Sequence, residues 1–308
     1  MRHYFALSVL ALAACAATEP LPPAPAEVLV TVNSTAKTLT VTPTAVPHTP
    51  VTIPLGATNN VPAQFAARGG VALVPLGDDN AVAVVDLAAG TVLNTFPLAA
   101  ASGAMGAAIL DDSIGYVAEP KLDRVVRINY LTGDTSSVAV GNTPQALVFT
   151  RGKLFVLNGN LNGAGVSLGA SWITVVDPVT NAKATGIDSI ALLGPGKARS
   201  AAVGADGLIY VMSAGDTGSS EGRLSIVNPV TRKELASFAG FGNRPAGMAS
   251  AGERLYIASW TEGLMIFDTR LREVIRGAGA GVAVPTNSSV ATGANGYLYA
   301  IEAGPCSG

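Results

Sequence analysis

The chain has 308 residues, of which 13% are charged and 6% aromatic, with 35 glycines and a formal net charge of −2. That balance excludes nucleic acid as a partner, because a phosphate backbone demands a basic footprint on the protein. A chain that is 49% hydrophobic with so few charges needs many buried strands to be soluble.

The first residues read as an address. Met1-Arg2-His3 is a short basic start, and Tyr4 to Ala14 is an apolar run too short to span a bilayer. It ends in Leu12-Ala13-Ala14-Cys15, a lipobox-like signal end that predicts lipid attachment at Cys15 and a signal peptide over 1–15. Residues 16–26 carry Pro20, Pro22, Pro23 and Pro25, the composition of an extended tether. No later stretch is long and apolar enough to cross a membrane. The expected mature protein is exported and lipid-anchored to the bacterial membrane, periplasmic or at the cell surface. With Cys15 acylated, Cys306 is left without an intramolecular disulfide partner.

Residues 27–308 carry a repeat of roughly 40 to 55 residues, and such periods mark propellers or solenoids. Each unit opens on a turn, most clearly Asn60-Val61-Pro62, Asn142-Thr143-Pro144 and Asn243-Arg244-Pro245. Small apolar residues and a short β run follow, such as Leu154-Phe155-Val156 or Ile209-Tyr210-Val211. A second β run then ends in Asp or Asn at Asp86, Asn129, Asp177, Asn228 and Asp268, where a side-chain oxygen can fix a tight turn. Four short antiparallel strands per unit make one propeller blade. The sixth unit stops after Glu302, and Val28 to Val41 repeats the pattern of 224–238, so the chain ends are expected to share a closing blade. The prediction is an all-β, six-bladed β-propeller, with N-terminal strands completing the C-terminal blade. Closure removes exposed sheet edges.

The run Asp79 to Asp86 with Ala88-Ala89-Gly90-Thr91-Val92, and the segment Val140-Gly141-Asn142-Thr143-Pro144, resemble the YVTN-type (YncE-like) bacterial β-propeller repeat family. Its core is varied here, as in Tyr116-Val117-Ala118-Glu119 and Tyr210-Val211-Met212-Ser213. The resemblance implies a fold and a surface location rather than a chemistry. Members are often seven-bladed, which leaves seven open beside six.

A site is expected on the face that carries the inter-blade segments and the loops between second and third strands, called the upper face below. Two of its loops are long. Residues 158–171 hold Asn158, Asn160 and Asn162, and 213–222 hold Asp216 and Glu221. They are read either as binding loops or as plain connections. Trp172 and Trp260 belong to the same face, as contact residues or as lids over the blade cores. The residues after each inter-blade turn, Ala63, Met105, Gln145, Arg199, Ala246 and Ser288, are expected to ring the central channel. Arg199 among them suits an anion or carboxylate, or else reaches to solvent.

Catalytic chemistry is sparse. After processing His48 is the sole histidine, so a Ser-His-acid triad or a histidine metal site lacks partners. No cofactor, metal ligand set or catalytic residue is predicted. The expected function is non-enzymatic binding or scaffolding by a monomer, with an envelope protein, peptide or glycan as ligand. The competing reading is a calcium-type propeller hydrolase or lactonase, for which Asn287, Gln145, Glu302 and Asp79 are the available oxygen donors. The tether is expected to join at the upper face, holding that face within about 30 Å of the bilayer at roughly 3.1 Å per residue.

Overall fold

A computed structural model describes residues 27–62 and 64–304. Cys15, the tether, Ala63 and Cys306 lie outside the described residues. The protein is an all-β, six-bladed β-propeller. Five blades are complete: residues 66–97, 105–139, 144–191, 198–238 and 245–276. Within each, strands pair antiparallel from the axis outward in chain order. In the third blade two short pieces, Ala182–Lys183 and Ser189–Ala191, share the outermost position on Trp172–Asp177.

Local chemistry explains why each blade repeats. The side chains of Asp86, Asn129, Asp177, Asn228 and Asp268 accept hydrogen bonds from amides two or three residues on, as expected from the sequence. Four residues after each stands a left-handed residue: Gly90, Gly133, Asn181, Arg232 and Arg272. The turn after every third strand is therefore built the same way, with or without glycine. Between blades, strands bury alternating faces. Phe155, Leu157, Ile173 and Val175 of the third blade pack with Ile209, Val211 and Val227 of the fourth.

Near the axis, space decides the residue. Gly106 opens the innermost strand of blade two at φ +49°, and a Cβ there would sit 2.2 Å from the carbonyl oxygen of Gln145. Only glycine allows that blade-to-blade approach.

The chain ends meet at the closing position, as expected, but with five strands in two sheets. The C-terminal hairpin, Asn287–Thr292 with Leu298–Glu302, packs Val290 against Ala258 and Leu264 of blade five. The N-terminal sheet, Val28–Asn33, Thr38–Pro43 and Val51–Pro54, packs Leu39, Val41 and Ile53 against Ala72, Val74 and Val85 of blade one. Between the two parts, Glu27 Oε1 accepts from Ala294 N at 2.5 Å.

This arrangement corrects the expected direction of the first strand. The turn after Asn33 lies on the upper face, where Ser34 O accepts from Val61 N and Ser34 lines the channel mouth. Glu27 lies beside Ala294, in the hairpin turn of the lower face. Val28–Asn33 thus runs upward like a second strand, not downward like a third. The strand Val51–Pro54, unassigned from sequence, pairs with Thr38–Pro43 and gives this sheet a third strand. The chain therefore enters the propeller from the lower face, opposite the long loops.

Candidate functional site at the channel mouth

All six innermost segments contribute to a central cavity of about 290 Å³, through residues such as Gln64, Gly106, Ala146, Arg199, Ala246 and Ser288. Above it opens a mouth of about 320 Å³, lined among others by Ser34, Met105, Gln145, Lys197 and Arg199. Five of the six expected ring positions therefore line the channel or its mouth, and the sixth, Ala63, is outside the described residues. Among the described residues, no aspartate or glutamate lines either space.

Arg199 is the one residue of the ring with a full charge. The residue is exposed, and it lines both the channel and its mouth. Desolvation by the surrounding blades lowers its pKa, and the positive charge of Arg244 lowers it further. The guanidinium stays protonated regardless, since its ordinary value is so high. Among the described residues its side chain makes no hydrogen bond or ion pair. Its backbone carbonyl, however, accepts from Gln64 Nε2, which reaches across from blade one. Gln64 Oε1 is buried with no partner. Ser200 Oγ donates to Ala246 O at 2.5 Å, which ties blade four to blade five beside the lumen.

Two further cations stand near the rim, and each is already engaged. Lys197 Nζ pairs with Asp216 at 3.2 Å. The Arg244 guanidinium lies over the Trp260 ring, 5.1 Å from its centroid, a cation–π contact. Trp260 is half-buried, with the arginine over its ring.

The two long loops meet. Asp216 accepts from Ser167 N at 3.0 Å as well as pairing with Lys197, and these two contacts hold its carboxyl below the usual range. Glu221 is exposed and lines an outer groove of about 500 Å³ with Leu193, Pro195 and Arg223.

The asparagines expected on the binding face serve the loop itself. Asn158 is fully buried: its Oδ1 accepts from Gly141 N at 3.0 Å, and its Nδ2 donates to Trp172 O and Thr174 Oγ1. It pins blade three from inside and is corrected from a contact residue to an interior one. Asn160 donates to Ala170 O at 2.9 Å, and Asn162 accepts from Ala164 N and Val166 N. Both shape the loop. Trp172 is half-buried, with its ring beside Gly141.

Of the oxygen donors weighed for calcium, Asn287 and Glu302 are register partners in the C-terminal hairpin, while Asp79 and Gln145 belong to blades one and three. Asp79 is committed to Thr58 and Asn59, whose amides and side chains hold its pKa down at about 2. Asn287 is buried in the C-terminal hairpin, with Nδ2 3.4 Å from Gly263 O. Gln145 alone of the four lines the mouth.

Lys197, Arg244 and Gln64 are not among the site residues expected from sequence. The signal for Gln64 was its place one residue beyond the expected ring position of its repeat.

No family model matches the chain. No curated protein matches it either. Solved structures do. It resembles a streptogramin B lyase with TM-score 0.69 and 11% identity, over 89% of this chain and 86% of that one. It resembles Kuenenia stuttgartiensis hydrazine synthase with TM-score 0.61 and 14% identity, over 78% and 72%. At such identities the likeness shows the propeller fold alone.

Proposed function

We propose that this protein is a propeller of the YVTN type, lipid-anchored through Cys15, that binds a ligand at its upper face without transforming it. The observation that carries the binding reading is the channel mouth: a concave space on a rigid ring, lined by neutral groups and one unpaired cation. Ligand sites favour concave spaces with a few polar groups in a largely apolar lining. The clasped loops beside the mouth extend the surface for a larger partner such as a peptide, glycan or envelope protein. The entry of the chain at the lower face supports an arrangement in which the anchor holds that face toward the membrane and leaves the mouth outward.

The test replaces residues 161–168 and 217–221 by Gly-Ser segments and repeats cross-linking capture in envelope extracts. Loss of the captured species, with an unchanged melting temperature, is the expected result. Full capture by the doubly replaced protein would contradict an upper-face site. For the anchor, metabolic labelling with a fatty-acid analogue should mark the protein and fail to mark Cys15→Ala.

A further inference from the structure

We infer that the central channel is a site for a small monocarboxylate that also carries a hydrogen-bond donor, with Arg199 receiving the carboxylate and Gln64 the donor. The inference rests on the binding role proposed above and names the ligand class for it.

Charge comes first. Among the described residues, the channel and its mouth hold Arg199 and Lys197 and no acid, and Lys197 is neutralised by Asp216. Arg244 adds a like charge from the rim while occupied with Trp260. One unit of positive charge is therefore left over in a space walled by six blades. Arg199 lines this space with no acid to pair with, and a bound anion would give its guanidinium a charge-assisted partner there. The one unpaired guanidinium lining the channel meets the single charge of a carboxylate directly, with Arg244 adding attraction from the rim. Its planar fork also matches the two oxygens of a carboxylate.

Gln64 is a second and independent observation. Its Nε2 is spent on the Arg199 carbonyl, so its orientation is set and Oε1 is left as a buried acceptor. A buried acceptor without a donor is unfavourable, and a ligand donor would satisfy it. Gln64 and Arg199 line both the cavity and the mouth, so one ligand can meet both.

Size and lining set the body of the ligand. A volume of about 290 Å³ admits a small molecule only. Phe65, Ala107, Ala146, Leu147, Ala201 and Met248 give it apolar walls. A short apolar or aromatic body between a carboxylate and a hydroxyl or amine fits these walls. 3-Hydroxybenzoate has that pattern and serves as the probe.

The experiment measures binding of 3-hydroxybenzoate to the full chain by saturation-transfer NMR and calorimetry in low-chloride buffer. Its neutral counterpart 3-hydroxybenzamide and inorganic phosphate are run beside it. Expected are saturable binding of the carboxylate, at least tenfold weaker binding by Arg199→Gln, and no binding of the amide at the same concentrations. Gln64→Leu should weaken the carboxylate severalfold while leaving the amide unbound. Equal binding of acid and amide, tighter binding of phosphate, unchanged affinity in Arg199→Gln, or no binding of any probe would each overturn the assignment. Should Arg199→Gln fail to fold, phenylglyoxal modification of Arg199 in the native protein decides. Slower modification with the probe present supports the site, and an unchanged rate refutes it. Loop replacement addresses partner capture and these probes address the channel, so either reading can fail alone.

Discussion

The seam between blades three and four and the seam where the chain ends meet do the same architectural task with very different means. At the first, a continuous cluster runs through Phe155, Leu157, Ile173, Ile209, Val211 and Val227, every member almost wholly buried. Ser171 Oγ adds a polar pin, donating to Gly159 O and accepting from Ala198 N at 2.9 Å. At the second, the Glu27 side chain accepts from Ala294 N, and the nearby Tyr297 ring is 69% exposed. The difference teaches where rigidity is placed. Arg199, Lys197 and both long loops sit on the firm seam, so the candidate site is held by the best-packed part of the ring. The closing seam carries none of the charged site residues.

Cavity-forming substitutions should break this comparison most visibly. Ile173→Ala in the firm seam should cost about 4 kcal/mol of stability, since deleting a fully buried aliphatic side chain there leaves an unfilled void. Val290→Ala in the C-terminal hairpin beside that closing seam, where the side chain packs on blade five, should cost only about 1.5 kcal/mol, from two methyl groups in a thinner layer. Chemical denaturation of both variants checks the ratio. Equal costs would show that the two places are equally packed.

A smaller effect belongs to the staple between the N-terminal sheet and blade one. Asp79 takes hydrogen bonds from Thr58 and Asn59, and these lower its pKa from 3.8 to about 2. A carboxylate whose folded pKa is depressed stabilises fully above its unfolded value and loses that effect as pH falls through the folded one. The contribution should be complete above about pH 4 and fade between there and pH 2. For this partly solvated group Asp79→Ala should cost about 1 kcal/mol at neutral pH, after allowing for solvent screening. The gap between variant and parent should close as the pH approaches 2. A gap that persists undiminished at low pH would show that the staple does not depend on the charge.

The smallest effect is expected at the loop clasp. Asp216→Asn should leave the melting temperature nearly unchanged while speeding hydrogen exchange at Ser167 and its neighbours. Because Ser167 and Lys197 hold the Asp216 pKa below 3.8, the parent should show the same loosening only in more acidic solution. Unaltered exchange in the variant would mean that the loops do not depend on each other.

Much of the fold was legible in the repeat. The Asp or Asn closing each third strand predicted a turn that five blades build alike, and the small residues of the first strands predicted a crowded axis. The ring positions around the channel followed from the same register. What the repeat could not show lies where it stops. Val51–Pro54 follows two prolines and has no copy elsewhere, so nothing in the pattern marked it as a strand. The chain also enters from the face opposite to the one expected. The loop asparagines were misplaced for a different reason. Asn158 is polar at the end of a strand, and only the fold shows that Gly141 N and Thr174 converge on it from inside. Gln64 was missed because its significance comes from a residue 135 positions away on the opposite wall of the channel.

The most direct test of a channel site on the firm side of the ring is hydrogen exchange by mass spectrometry, with and without saturating 3-hydroxybenzoate. Peptides covering 64–68, 145–148 and 198–203 should slow with the ligand present, while 287–302 should exchange quickly in both samples. Unchanged exchange in the channel peptides, or slowing confined to 287–302, would contradict it.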